Sequence, residues 1–288
     1  KLPFTDKSVL RETFPYGLFA VPLDEVVELH ASSGTTGKPI VVGYNAHDMD
    51  LWADCIMRLV QMAGVVPGDR AQMAFGYGMF TGGFGLHYGL QKLGCMMIPA
   101  GSGNTERHIA MIEDYGTTVL VATPSYALHM CEVGEQMGFD WKASTLRVGL
   151  FGGEPCPPGL KAEIEGRMHI VCTDNYGLTE VMGPGVSGEC LASRDMQHIA
   201  EDHFLWEVVD PDTGEPVPDG EEGELVLTPL GKQAIPVLRY RTHDLTRVTC
   251  EPCACGRTHA RMRKVRSRTD DMLIIRGVNV FPSQVEDV

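Results

Sequence analysis

Residues Ser32-Ser33-Gly34-Thr35-Thr36-Gly37-Lys38 put four hydroxyls, two glycines and an ammonium into seven consecutive positions. Apolar runs flank them, Val26-Val27 before and Ile40-Val41-Val42 after. The stretch is too polar for a strand core and too rich in glycine for a helix. Lacking a Cβ, glycine lets backbone N–H groups close on a bound anion. The hydroxyls and Lys38 add further donors, so the chemistry predicted is a phosphate grip on a hairpin between two strands. A P-loop does not fit, because Gly34 and Gly37 are only three apart and Pro39 stands where Ser or Thr should follow the lysine. Pro39 also disfavours helix at Lys38. An ordinary polar turn has the same composition, since Ser, Thr and Gly gather in turns.

Other stretches could share that chemistry. Tyr77 to Gly89 holds five glycines and four aromatics, which suits a cavity for a planar apolar ligand or, equally, tight helix-on-sheet packing. Phe151-Gly152-Gly153-Glu154-Pro155 ends a predicted buried strand, and ligands in open α/β sheets bind beyond the carboxyl ends of strands. A plain strand-to-helix turn would look the same. Asp174-Asn175-Tyr176-Gly177-Leu178-Thr179-Glu180 also follows a predicted strand. There Tyr176 can stack on a base, Thr179 can donate to a phosphate oxygen, and Glu180 can hold Mg²⁺, which needs only one or two carboxylates beside substrate phosphates. Cys250, Cys253, Cys255 and His259 offer three thiols and an imidazole for tetrahedral Zn²⁺ within one loop. A rival set takes Cys253 and Cys255 with Cys190 and His198. Free loop cysteines are the plain alternative.

The elements that must position these groups are legible in outline. The 288 residues suffice for one large domain or two ordinary ones. Hydrophobic content of 43% and charged content of 22% fit a globular protein. A net charge of -14 argues against duplex nucleic acid as a partner. No run of about 18 apolar residues predicts a membrane span, and no signal peptide is visible. Nine dispersed cysteines suggest a reducing cytoplasm rather than a disulfide framework. Helices are predicted at Asp6–Phe14, after the Asn45 cap, at Phe84–Leu93, at Glu106–Tyr115 with Thr105 as cap, at Pro124–Met137 and at Pro158–Glu165. Strands are predicted at Ala71–Phe75, Cys95–Pro99, Val119–Thr123, Leu146–Phe151 and His169–Thr173. This alternation argues βα units and a mainly parallel sheet. From about His198 the texture changes to short strands, Phe204–Val209, Gly223–Thr228, Val237–Tyr240 and Leu245–Thr249, read as a small antiparallel sheet. The chain starts at Lys1 rather than Met and stops in mid-pattern at Val288, so part of something longer is expected.

Ser32 to Pro39 resembles the phosphate loop of the adenylate-forming superfamily. The stretch from Tyr77 resembles the Y-G-x-F-T-G-G-x-G-x-H-Y-G of its phenylacetate–CoA ligase branch, as do Ser102–Arg107 and Thr123–Tyr126. Tyr176-Gly177-Leu178-Thr179-Glu180 resembles the superfamily's Y-G-x-T-E motif. Tyr240-Arg241-Thr242-His243-Asp244 resembles Y-x-T-G-D, with His243 where Gly is usual. Ser267 to Gly277 resembles the hinge motif, with Ser267 in place of Gly. Nearly nine-tenths of the chain is covered, by motifs in the expected order.

The resemblance implies a large α/β domain with a mainly parallel sheet (1–197), a β-rich subdomain (198–269), and a hinge leading to a mobile C-terminal domain (270–288), largely absent. It implies ATP-dependent ligation of an aryl acid, phenylacetate first, to CoA through an acyl-adenylate, with AMP and pyrophosphate released. Ser32, Ser33, Gly34, Thr35, Thr36 and Gly37 would hold the β- and γ-phosphates, and Lys38, Thr179 and Glu180 would serve catalysis. Gly153, Glu154, Pro155, Asp174, Asn175, Tyr176 and Gly177 would line the nucleotide site, Asp244 would bind the ribose, and Arg268 would reach ribose or phosphates. Asp270 or Asp271 would be the pivot. Tyr77, Phe80 and His87 would form the acid pocket, and Glu180 would hold Mg²⁺. Relatives pair an E-C…H-I segment with a later C-x-C-G-R, which favours Cys190, His198, Cys253 and Cys255 for a structural zinc. The relatives' adenylation lysine lies in the C-terminal domain. A homodimer is a family expectation. A non-CoA acceptor, or a nucleotide-binding module without catalysis, are the alternatives.

Overall fold

A computed structural model describes residues 2–32, 38–265, 267–269, 273–275 and 278–280. Helix α1 (Lys7–Glu12) is capped by the Asp6 carboxylate, which accepts from the Ser8 and Val9 amides. Strands β1 (Val26–Ala31) and β2 (Val41–Asn45) pair antiparallel. They are the hairpin expected around the polar loop, of which Ser33 to Gly37 lie outside the described residues. Asn45 then caps α2 (Ala46–Met62) by accepting from the Asp48 amide.

The βα units follow: β3 (Arg70–Met73), α3 (Thr81–Leu93), β4 (Met96–Ile98), α4 (Thr105–Tyr115), β5 (Val119–Ala122), α5 (Pro124–Met137), β6 (Val148–Phe151) and α6 (Pro158–Met168). Gly94 ends α3 at φ 95°, a left-handed cap that favours glycine. The α4 cap is Asn104 rather than Thr105, because the Asn104 side chain accepts from the Arg107 amide.

The later strands are β7 (Val171–Leu178), β8 (Gly183–Cys190), β9 (Ser193–Ile199), β10 (Phe204–Val209), β11 (Gly223–Pro229), β12 (Tyr240–Thr246), β13 (Val248–Thr249), β14 (Arg261–Arg263), β15 (Ser267–Arg268), β16 (Leu273–Ile275) and β17 (Val278–Val280). Among the described residues, a nine-stranded sheet runs β13-β14-β9-β8-β7-β6-β5-β3-β4, and a four-stranded sheet runs β10-β11-β12-β15. The large sheet is parallel from β4 through β7 and antiparallel from β7 through β13. The four-stranded sheet is antiparallel throughout.

Three sequence expectations change here. The antiparallel region begins at the β7–β8 hairpin, not near His198. β13 and β14, from the stretch assigned to the β-rich part, join the large sheet. The strands predicted at Val237–Tyr240 and Leu245–Thr249 are redrawn as β12, whose alternating burial from Tyr240 to Thr246 is the period-2 pattern of a half-buried strand, and the two-residue β13. β8 escaped notice because it is buried along its whole length and carries three glycines, so it shows neither alternation nor high β-propensity.

The parallel strands bury both faces. On β5, Val119 and Val121 join the core under α2 and α3, whereas Leu120 and Ala122 join the core under α4, α5 and α6. α2 and α3 meet at very short range. A Cβ at Gly89 would lie 2.1 Å from Ile56 Cγ2 and 2.8 Å from the Met57 backbone nitrogen. No described helix is long and apolar enough to cross a membrane.

Gly89→Ala is therefore expected to destabilise the fold by about 1–3 kcal/mol despite its better helix propensity. Gly166→Ala in α6, where nothing lies within 4 Å of a new Cβ, should be neutral or stabilising by up to about 1 kcal/mol. Urea midpoints of the two variants, compared with the parent, check both.

Candidate active site

A cavity of about 1400 Å³ opens beyond the carboxyl ends of the central strands. Three chain segments meet there. After β6, Gly153 turns the chain at φ 81°, a left-handed conformation open to glycine. A Cβ at that position would stand 3.7 Å from the rings of Phe75 and Phe80. Glu154, next in line, accepts from the Ser125 amide at 2.6 Å and so helps hold the start of α5. Pro155 also lines the cavity.

The second segment is the end of β7 and the turn after it. Asn175 donates to the Phe151 carbonyl at 2.6 Å, tying β7 to the glycine turn of β6. Gly177 is forced by packing, since a Cβ there would fall 1.9 Å from the Gly183 carbonyl oxygen. Thr179 and Thr81 share a hydrogen bond at 3.2 Å. Glu180 is buried and sits 3.6 Å from the Lys7 ammonium of α1.

The third segment is β12 with β15. The Asp244 carboxylate accepts from the Tyr176 hydroxyl at 2.5 Å on Oδ2 and from Arg268 at 2.5 Å on Oδ1. His243 holds φ 62°, the conformation for which relatives' glycine is suited. Its ring bonds the Thr269 hydroxyl at 3.1 Å and its amide donates to the buried Glu224 at 3.0 Å.

Ser32 lines the cavity and closes the hairpin, with its amide donating to the Ile40 carbonyl at 2.9 Å and its hydroxyl accepting from the Ile40 amide at 3.1 Å. Ser33, Gly34, Thr35, Thr36 and Gly37, like Asp270 and Asp271, lie outside the described residues. Lys38 is exposed, with its ammonium 5.6 Å from the centre of the Phe14 ring rather than on the cavity wall. Phe80 lines the cavity. Tyr77 and His87, expected in the acid pocket, do not line the cavity and are joined by a 2.8 Å hydrogen bond. Burial pushes the Tyr77 hydroxyl up to about 12 and His87 down.

Sequence reasoning missed Lys7, Lys161, Glu189 and Lys264. Lys264 Nζ lies 2.6 Å from Glu189 and 3.7 Å from Asp174, and Lys161 pairs with the other oxygen of Glu189. That oxygen also accepts the Asp174 amide at 2.8 Å. Burial pushes the Asp174 carboxyl up to about 7, against the opposing pull of Lys264. Glu189, next to Cys190 in the E-C segment, carried the one sequence signal available.

Away from the cavity, the metal-ligating atoms of Cys190, His198, Cys253 and Cys255 lie within 4.8 Å of one another. Cys190 Sγ is 3.8 Å from Cys253 Sγ, far beyond the roughly 2.05 Å of a disulfide. Cys255 Sγ is 3.4 Å from His198 Nε2. Of the local alternative, Cys250 and His259 stay outside this group.

With this geometry in place, the match of residues 19–230 to the family described as AMP-binding enzyme decides the affiliation. The chain belongs to the AMP-binding enzyme family. It is 51% identical over 288 residues to a phenylacetate-coenzyme A ligase of Aromatoleum evansii, covering 100% of this chain and 65% of that protein. A phenylacetate-coenzyme A ligase of Escherichia coli (strain K12) gives the same 51%, 100% and 65%. The chain thus spans 65% of the length of these curated relatives. A 2-hydroxyisobutyryl-CoA ligase solved in complex with 2-HIB-AMP and CoA superposes with a TM-score of 0.94 at 30% identity, over 99% of this chain and 62% of that one. The resemblance to the phenylacetate–CoA ligase branch is borne out, and so is the adenylate-forming α/β fold.

The buried Asp174 generates a pH dependence. Its folded-state carboxyl is raised to about 7 from the ordinary 3.8, so the folded chain holds a proton that the unfolded chain releases. Its contribution is fully present below about pH 4 and is lost as pH rises towards 7. Asp174→Asn cannot titrate, so the stability of the variant relative to the parent should climb between pH 4 and 7 and level off above. Urea midpoints at stepped pH check this.

Proposed function

We propose that this protein is an ATP-dependent phenylacetate–CoA ligase working through an acyl-adenylate. One observation carries the reading: Asp244, bonded by Tyr176 and Arg268, shares a single cavity with Thr179, Glu180 and the Gly152–Gly153 turn. Asp244 receives the ribose hydroxyls, and Tyr176 with the Gly153–Pro155 turn flanks the base. The β1–β2 hairpin, anchored by Ser32, presents its loop to the β- and γ-phosphates. Thr179 donates to a phosphate oxygen. Lys7, beside Glu180, adds positive charge at that end. Mg²⁺, when bound, supplies charge neutralisation on the phosphates, and the Glu180 carboxylate is the group that suits it.

A carboxylate oxygen of the acid attacks the α-phosphorus, and pyrophosphate leaves. The CoA thiol, losing its proton, then attacks the acyl carbon, the acyl–phosphate bond breaks, and AMP departs. Positioning and charge stabilisation do most of the work. Phe75, Phe80 and Leu86 supply an apolar wall for an aryl acid. Free thiols at all nine cysteines suit a cytoplasmic setting.

With full-length protein, ATP, Mg²⁺ and phenylacetate, AMP release is expected to require CoA, and Asp244→Ala should lower kcat/KM at least about tenfold, as expected for loss of charge-assisted hydrogen bonds. AMP release that is equally fast without CoA would assign a different acceptor. Absence of AMP with every aryl acid tried, in protein that still binds ATP, would refute the ligase reading.

The thiol–imidazole cluster fits a structural zinc. Zn–S bonds of about 2.3 Å give tetrahedral S–S edges of about 3.8 Å and S–N edges of about 3.5 Å, close to the 3.8 Å and 3.4 Å found. Four protein ligands leave no position for a reacting water, so the metal would bind the β8–β9 hairpin to the 253–255 loop. Burial resists the Cys255 thiolate, but donors led by the Arg257 amide outweigh it and bring the thiol down to about 7, which suits a metal ligand. Purified protein should contain one zinc per chain by elemental analysis. Cys253→Ser should lose the metal and lower the urea midpoint, whereas metal-free protein of unchanged stability would exclude the assignment.

A further inference from the structure

β1 carries a buried network that the nucleotide chemistry does not use. Glu28 and His30 are two residues apart, so they share one face of the strand. His30 is 1% exposed and lies among the rings of Tyr44, Trp52 and Phe84, with centroids 5.5–5.7 Å away. Its Nδ1 lies 3.1 Å from the Met79 carbonyl oxygen. A carbonyl cannot donate, so Nδ1 carries the proton. Nε2 lies 2.6 Å from Glu28 Oε1, and Glu28 Oε2 accepts the Tyr88 hydroxyl at 2.6 Å. Burial opposes ionisation of Glu28, but the bonds from His30 and Tyr88 outweigh it and hold the carboxyl below its ordinary range.

The Met79 carbonyl receives a second donor, the Ala31 amide at 2.9 Å. Met79 stands between Tyr77 and Phe80 in the loop that enters α3, and Phe80 is the N-cap residue of that helix and faces the cavity. Ala31 is followed by Ser32, where the phosphate hairpin meets the same cavity. Two adjacent residues of β1 thus grip one carbonyl of the aromatic loop.

We infer that His30 is a positioning residue that fixes the aromatic acid-binding loop against the strand bearing the phosphate hairpin, so that one buried side chain sets the distance between the acid's carboxylate and the phosphates. The loop's role as an acid pocket rests on the ligase reading, whereas its attachment to β1 does not.

Two substitutions separate the contacts of the ring. In His30→Asn the side-chain amide falls near Nδ1 and keeps the bond to Met79. In His30→Gln it reaches towards Nε2, keeping Glu28 and releasing Met79. Both remove a buried ring, so a purely structural role lowers thermal stability in both and leaves KM for the acid alone. Positioning predicts that His30→Gln raises KM for phenylacetate and lowers kcat, with kcat/KM down about tenfold, the effect expected for loss of one buried hydrogen bond. His30→Asn should recover most of that loss, and AMP affinity, set at the Tyr176–Asp244 end, should not change in either. Equal losses in the two variants, or no change in acid KM, overturn the proposal.

Amide hydrogen exchange gives a readout independent of turnover. The Ala31, Thr81 and Gly82 amides should exchange faster in His30→Gln but not in His30→Asn. Unchanged exchange in His30→Gln overturns the proposal, even if the protein proves not to be a ligase. Should both variants fail to fold, Tyr88→Phe, which deletes only the hydroxyl on Glu28, is expected to give a smaller rise in acid KM with the same exchange pattern. A Tyr88→Phe protein identical to the parent in both readouts overturns it.

Discussion

The site depends on β7 having two different edges. On one it pairs in parallel with β6, so that Phe151 lies opposite Asp174 and the Gly152–Gly153 turn is brought beside Asn175. On the other it pairs antiparallel with β8. Near the end of β7 the chains of β7 and β8 approach closely, and Gly177 allows it, since a Cβ there would fall 1.9 Å from the Gly183 carbonyl oxygen. A parallel sheet alone offers ligand loops at one end of its strands. Here the antiparallel continuation carries β7 past that end, so Tyr176 projects from a paired strand rather than a free loop. Its hydroxyl can then be held 2.5 Å from Asp244 on a different sheet.

Charge follows a similar logic. The chain is strongly acidic, at -14, yet its cavity must attract polyanions if the proposed reaction occurs. The cavity wall supplies cations locally, and most of them, buried or half-buried, have an acid against them: Lys161 and Lys264 on Glu189, Arg268 on Asp244, Lys7 on Glu180. Paired burial avoids the cost of isolated charge. It also leaves the carboxylates orienting the donors rather than cancelling them at a distance, because a lysine has three N–H directions and spends only one or two on its partner.

Much of this was legible in the sequence, for identifiable reasons. α5 was readable to the residue because Thr123 and Pro124 mark its start and Gly138 its end. The cavity-lining motifs at Gly152–Pro155, Asp174–Glu180 and Tyr240–Asp244 were readable because they are short, contiguous and chemically dense. β8 and β9 were not, since the first is uniformly buried and glycine-rich and the second holds polar residues, Gln197 and His198, that turn inward to specific partners. The local set of Cys250, Cys253, Cys255 and His259 is not the group that the fold brings together. Cys250, three residues from Cys253, is exposed, whereas Cys190 and His198 arrive from 63 and 57 residues away because β8 and β9 pair beside the 253–255 loop. Spacing in sequence finds such clusters only where no sheet intervenes. Lys264 and Lys161 gave no signal at all, because a buried lysine is recognisable only through the carboxylate that tertiary structure sets against it.

The Glu189–Cys190 pair links the lysines of the cavity wall to the thiol–imidazole cluster. Successive residues on a strand normally face opposite sides, and the pairing of β8 with β9 shifts register between these two. Glu189 turns to the cavity, where it holds Lys161, Lys264 and the Asp174 amide. Cys190 turns to the thiol–imidazole cluster. A metal in that cluster would therefore do more than brace a surface loop. It would fix the end of β8, and through Glu189 fix the two lysines beside Asp174 of β7. The cluster lies outside the cavity, yet the covalent bond between residues 189 and 190 makes the position of one a condition on the other. A structural site with no open ligand position can influence catalysis by this route, through strand register rather than chemistry.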